Sequence, residues 1–150
     1  VDAAAMGNPD RVLDYEIEAG GRLLKVTCLS VGNPHAVVFP EEDVDDFPLL
    51  GIGPYVENHP LFPNRINFEI ANVVDRDTLK ARIFERGAGE TLSSGTGTTA
   101  TAVAAKLHGF TGDTVRVQVP GGELRITWPG EGEIYLEGPA VEVFEGVWRD

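Results

Sequence analysis

Glu85-Arg86-Gly87-Ala88-Gly89-Glu90-Thr91-Leu92-Ser93-Ser94-Gly95-Thr96-Gly97 is the stretch on which the fold turns. It leaves a β-rich run, crosses a glycine-rich loop and enters a segment, Gly95 to His108, in which Ala100, Val103, Ala104 and Leu107 share one stripe at the roughly 3.6-residue period of a helix. Gly109 follows where helices commonly stop. The other faces of this helix carry mainly Ala and Thr. Side chains that small let a sheet close around them, so the pattern predicts a central, largely enclosed helix.

The flanking sequence reads as strands. Val12 to Ala19 and Arg22 to Ser30 alternate around Gly20-Gly21, a hairpin signal, and His35 to Phe39 follows the turn-prone Gly32-Asn33-Pro34 as a third strand. Pro40 to Asn64 is punctuated by prolines and predicts mostly loop with room for a short helix. Ile66 to Val74 and Thr78 to Glu85 form a second hairpin around Asp75-Arg76-Asp77, and the alternation of Ile66, Phe68 and Ile70 implies a half-buried sheet. Beyond the helix, Val115, Val117 and Val119, then Leu124, Ile126 and Trp128, alternate on either side of Pro120-Gly121-Gly122. Ile134 to Leu136 and Val141 to Phe144 complete the expected meander. The fold class is α+β, a mostly antiparallel sheet curled around a central helix.

Composition narrows the function classes. The 150 residues, 42% apolar and 24% charged, suit one globular domain; residues 1–11 read as a linker or the tail of something upstream, and 12–150 as the domain. A net charge of -12 with scattered Lys and Arg argues against nucleic acid as a partner. The acidic run Glu41, Glu42, Asp43, Asp45 and Asp46 is a solvated loop or a helix start. A single cysteine, Cys28, excludes an intrachain disulfide and a multi-cysteine metal site, which makes cytoplasmic residence the expectation. No apolar run approaches the ~20 residues that span a bilayer, so no membrane role is expected. No metal site and no cofactor are expected.

The loop before the helix has a chemical use. Glycines let backbone N–H groups approach a ligand, and the free amides of a helix start, with the dipole behind them, form a seat for a carboxylate or phosphate. It is not a Walker loop, because no Lys follows the glycines, and the spacing is not that of a dinucleotide fingerprint. Ser94 reads either as a helix cap or as a group at the mouth of this pocket. Glu85 and Arg86 read as an exposed ion pair or as a clamp on a zwitterion, the Glu holding an ammonium and the Arg a carboxylate through its fork. His35 is equally a structural histidine or a proton carrier, and Asn33 and Asn67 are turn or sheet-edge residues on residue type alone.

The segments GNPHAVVF from Gly32, ENHPLFPNRINFEI from Glu57, ERGAGETLSSGTG from Glu85, VPGGELRITW from Val119 and EGPAVEVFEG from Glu137 resemble, in order, the signatures of the C-terminal domain of diaminopimelate epimerase. The resemblance covers nearly the whole chain from about Val12. It implies one half of a two-domain fold with the active site between the domains, a small amino-acid substrate, a missing N-terminal domain and a possible homodimer. The implied reaction is the cofactor-independent conversion of LL- to meso-diaminopimelate in lysine biosynthesis. In the family that the chain resembles, two catalytic cysteines, one from each domain, work on opposite faces of Cα. By motif, Gly95 and Thr96 would hold the α-carboxylate, and Asn33, Asn67 and Arg86 the distal end of the substrate. Glu85 would assist position 94, and His35 the catalytic residue of the other domain.

At position 94 the chain departs from that pattern, with Ser94 where the family carries cysteine. A thiol of reference pKa ~8.5 is readily tuned into a base, and a hydroxyl is not. Ser94 would therefore need strong activation, or would act as the donor that returns a proton. An introduced substitution, a serine lineage, a changed reaction such as a related racemase or hydroxyproline-type dehydratase, and a non-catalytic amino-acid-binding domain all stand open. Cys28, mid-strand, reads as a small buried hydrophobe. The chain alone is expected to be inactive, because one face of the substrate would be unserved.

Overall fold

Positive φ at Gly20 (58°) and Gly21 (76°) closes a two-residue turn that folds β1 (Val12–Ala19) onto β2 (Arg22–Ser30), with Ala19 opposite Arg22. The computed structural model describes residues 1–2, 4–7 and 11–148. After β3 (Pro34–Val38) comes α1 (Leu49–Glu57), then the hairpin of β4 (Asn67–Asp75) and β5 (Thr78–Glu85). The short β6 (Gly89–Thr91) precedes α2 (Gly95–Leu107), and β7 (Thr114–Val119), β8 (Gly122–Thr127) and β9 (Tyr135–Glu137) follow. The strands form one sheet in the order β1-β2-β3-β4-β5-β7-β8-β9, with β6 paired to β5. None of the helices among the described residues is long and apolar enough to cross a membrane.

Six of the strand pairings are antiparallel. β3 with β4 and β5 with β7 run parallel, and parallel neighbours need a crossover. α1 lies in the first crossover and α2 in the second, on opposite faces of the sheet. Phe68 and Ile70 of β4 join Leu49, Ile52 and Val56 of α1 in one apolar cluster. Ala71 of β4 joins Leu79, Ala81, Ala102 and Ala105 in a second, beneath α2. Every residue of α2 from Gly97 to Ala105 is buried, so the enclosed central helix is as expected. Its threonines tolerate burial because Thr98, Thr99 and Thr101 donate to the carbonyls of Ser94, Gly95 and Gly97 within the same helix.

Three local expectations are corrected and one is met. The first five residues of β4, Asn67 to Ala71, are buried on both faces, since α2 covers the polar side that the alternation had assigned to water. The segment from Gly89 to Thr91 is a strand rather than loop, pairing back on Ile83–Glu85. The proline-punctuated stretch holds the short helix allowed for there, nine residues with Pro54 inside it, where the carbonyl left without a donor belongs to the exposed Leu50. Val141 to Phe144 is not a strand: alternation suits pairing, but this segment has no partner among the described residues and stays exposed. Of residues 1–11, residue 3 and residues 8–10 lie outside the described set, while Met6 is buried in the first cluster.

Candidate active site

The corner between β5 and α2 is built by backbone. Ser94, in extended conformation (φ -147°, ψ 122°), is the N-cap of α2, and its Oγ accepts from the Gly97 N–H at 3.3 Å. Its carbonyl accepts from the Thr98 N–H at 2.9 Å. The amides of Gly95 and Thr96 have no carbonyl one turn behind them, and both residues are exposed. Two free amides at the positive end of a thirteen-residue helix form a seat for an anion.

A line of hydrogen-bonded side chains runs from beneath α2 to this seat. The parallel register sets His35 beside Asn67 and Val37 beside Glu69, so Glu69 projects on the same face as His35. His35 Nδ1 lies 2.6 Å from Glu69 Oε1, and His35 Nε2 lies 2.9 Å from Asn33 Oδ1. Asn33 Nδ2 donates to Thr96 Oγ1 at 3.3 Å, on the first turn of α2. Burial pushes the Glu69 carboxyl up to about 7 against the lowering effect of the His35 hydrogen bond. The helix can lie this close because of Gly97, where an added Cβ would stand 3.1 Å from Glu69 Oε1 and 3.0 Å from Ile83 Cγ2.

The other candidate residues lie on the adjoining rim. Asn67 is used as a brace: its Nδ2 donates to the Pro34 carbonyl and its Oδ1 accepts from the Arg86 N–H, each at 2.9 Å. The exposed Arg86 side chain donates to the Asn64 carbonyl at 2.9 Å. Glu85 accepts from Thr91 Oγ1 at 2.8 Å, while the Ser94 hydroxyl oxygen is engaged with Gly97. Arg86 and Asn33 border one open cavity with Arg65, and Gly95 and Thr96 border a second with Leu136. The Asn33–Thr96 hydrogen bond joins the two. Cys28 is elsewhere, packed against the first apolar cluster, where burial pushes its thiol up to about 12.

Sequence reasoning missed two supports. Glu69, in the middle of a strand, gave no signal beyond being a polar residue among apolar ones. Glu57 accepts from Arg65 at 2.9 Å and from the Gly87 N–H at 2.8 Å, tying the end of α1 to the turn that carries Arg86.

The family model described as diaminopimelate epimerase matches residues 27–143, a span that includes every candidate residue above. The chain belongs to the diaminopimelate epimerase family. It is 50% identical over 140 residues to the diaminopimelate epimerase of Synechococcus elongatus, covering 93% of this chain and 50% of that protein. To the diaminopimelate epimerase of Acetivibrio thermocellus it is 53% identical over 131 residues, covering 87% and 46% respectively. To that of Moorella thermoacetica it is 48% identical over 147 residues, covering 97% and 52%. The chain thus spans about half the length of the curated relatives it matches. Among solved structures, a phenazine biosynthesis protein of the PhzF family from Bacillus anthracis aligns with TM-score 0.48 and 18% identity, covering 69% of this chain and 34% of that one.

Proposed function

We propose that this chain supplies the C-terminal half of the active site of a cytoplasmic isomerase that interconverts LL- and meso-diaminopimelate by moving a proton at Cα, as a step in lysine biosynthesis. The observation that carries the reading is the pair of free amides, Gly95 and Thr96, at the start of α2 beside the His35–Asn33–Thr96 line and Arg86, set within a family-wide match in sequence. The Gly95 and Thr96 amides take the α-carboxylate, and the helix dipole stabilises the negative charge that develops when Cα loses its proton. Arg86 and Asn33 line the cavity for the distal zwitterion.

Ser94 is the group at position 94 nearest the helix start. Its Oγ accepts from Gly97, a bond that does not use the hydroxyl hydrogen and so leaves it for a donor that returns a proton to Cα. Glu85 serves the same side of the site as proton relay once its bond to Thr91 opens. His35 serves the group that the other domain brings to the opposite face.

That other domain precedes residue 12, with residues 1–11 as the connection. Val141, Val143, Phe144, Val147 and Trp148 are 81–91% exposed, an apolar run of the kind a second body covers, and the span of the relatives leaves room for one. The test is the full-length protein with LL-diaminopimelate in deuterated water. Meso product carrying α-deuterium is expected; the absence of both product and exchange overturns the reading, and loss of water from a hydroxylated amino acid instead would assign a dehydratase.

A further inference from the structure

The Glu69–His35 pair contains more information than a contact. Asn33 Nδ2 donates to Thr96 Oγ1, so the oxygen of the same amide faces His35 Nε2. An amide oxygen only accepts, and Nε2 therefore carries a hydrogen. The second contact, Nδ1 to Glu69 Oε1 at 2.6 Å, needs a hydrogen as well. A neutral imidazole accepting from a protonated carboxyl supplies it, and so does an imidazolium donating to a carboxylate.

Glu69 Oε2 decides between them. It is buried with no hydrogen-bond partner, in a residue 0% exposed beside a His35 that is 1% exposed. An unpartnered carbonyl oxygen of a neutral acid is tolerable there, whereas half of a naked carboxylate is costly. We propose that Glu69 is the positioning residue of His35: a protonated acid that donates from Oε1 to Nδ1, fixes the Nε2–H tautomer and holds a reserve proton behind the cleft.

The step this allows is balanced. When Nε2 gives its proton to an acceptor in the cleft, the Glu69 O–H bond breaks, an Nδ1–H bond forms, and the pair passes from neutral to one negative charge on Glu69; the Asn33 amide turns over, donating Nδ2–H to the bare Nε2 and accepting from the Thr96 hydroxyl. Uptake of a proton at Nε2 reverses it. Glu85, at the end of β5, faces the pair and its charge favours the protonated acid. Cys28 on β2 is near enough to feel Glu69, and its own thiol is held neutral by burial. α2 brings no titratable side chain over the pair, since its charged residue, Lys106, lies in the last turn. The direction given above for Glu69 agrees with this assignment.

The protonation state stands by itself; its use in catalysis rests on the epimerase reading. Nitrogen-15 NMR of the imidazoles in the 150-residue chain, which has three histidines, tests the first. Below the transition near 7, His35 is expected as the neutral Nε2–H form, and above it the hydrogen moves to Nδ1 as Glu69 ionises. Glu69→Gln donates to Nδ1 from its amide but has no proton to lose, so the Nε2–H form persists and the switch disappears. An imidazolium or a bare Nε2 in the wild-type chain below the transition overturns the proposal, as does an unchanged switch in Glu69→Gln. In the full-length protein, Glu69→Gln should remove the limb of the α-proton exchange profile near pH 7. An unaltered profile with exchange intact sinks the role of Glu69 and spares the function. If the wild-type protein exchanges no α-proton while the NMR switch is present, the function fails and the dyad stands.

Discussion

β4 points Phe68 and Ile70 toward α1 and Asn67 and Glu69 toward α2, and all four are buried. The strand is the same and the burial is the same; the chemistry is opposite. On the first face the residues bury apolar area, a favourable term of about 25 cal/mol per Å² that needs no particular orientation. On the second, a buried polar atom without a partner is costly, and most of the partners here belong to the site: Asn67 holds the Arg86 amide and Glu69 holds His35. Burial on one face makes stability, and on the other it makes fixed direction. Substitutions on the first face should therefore move stability alone, and those on the second should move protonation and turnover.

The largest effect expected is on the apolar face. Phe68 is fully buried, with Phe47 at a ring-centroid distance of 6.3 Å, and Phe68→Ala should cost about 3–5 kcal/mol of unfolding free energy in a urea titration of this chain. A loss no larger than that of a surface substitution would break the division between the faces.

Second in size is a pH dependence confined to the polar face. A folded-state value of about 7 against an ordinary 4.5 means that the folded chain holds the Glu69 proton more tightly than the unfolded chain. Its stabilising contribution is fully present below 4.5, falls as the pH rises through about 7, and is flat above that, a change on the order of 3 kcal/mol at ~1.36 kcal/mol per unit. The difference in unfolding free energy between wild type and Glu69→Gln, followed across that window, isolates this group from the surface carboxylates. A difference that does not vary with pH would place the ionised acid in the folded state.

The two faces also differ in how far the sequence revealed them. Hairpins and α2 were legible because their signals are local: Gly20-Gly21 sets its own turn, and the stripe from Ala100 to Leu107 sets its own face. The parallel pairings were not, because β3 finds β4 only across a connection that holds α1, and no short-range pattern encodes that meeting. Glu69 was illegible for the same reason. An alternating polar residue reads as solvent-facing unless the helix that covers it is known, and that helix comes almost thirty residues later in the chain. Ser94, Gly95, Thr96, Glu85 and Arg86 stood out by contrast, since one contiguous stretch carries them all. Val141 to Phe144 shows the converse error, a local strand pattern with no neighbour to pair with among the described residues.

Gly97→Ala probes the seam between the helix and the polar row. In an open helix this exchange gains up to ~1 kcal/mol. Here the new methyl meets Glu69 and Ile83 at 3.0–3.1 Å, so a net loss of about 1–2 kcal/mol is expected, together with a changed His35 imidazole spectrum. Stabilisation with an unchanged spectrum would mean that α2 does not press on the Glu69 carboxyl.

The smallest effect in stability separates the two readings of Ser94. As a cap it accepts from the Gly97 amide, so Ser94→Ala should lose about 1 kcal/mol, whereas Ser94→Asp keeps an acceptor at the N-cap and should lose little. The same aspartate puts a negative charge beside the Gly95 and Thr96 amides, and in the full-length protein it should abolish carboxylate binding measured by calorimetry. Ser94→Ala leaves the anion seat open. If the hydroxyl only caps, α-proton exchange by that variant falls no further than its stability accounts for under conditions where it remains folded. If the hydroxyl returns a proton to Cα, exchange falls by about a hundredfold or more while carboxylate binding is retained, and Ser94→Cys, with a group easier to ionise at a helix start, restores it. Capping then explains where Ser94 sits, and proton transfer explains what the open end of α2 is for.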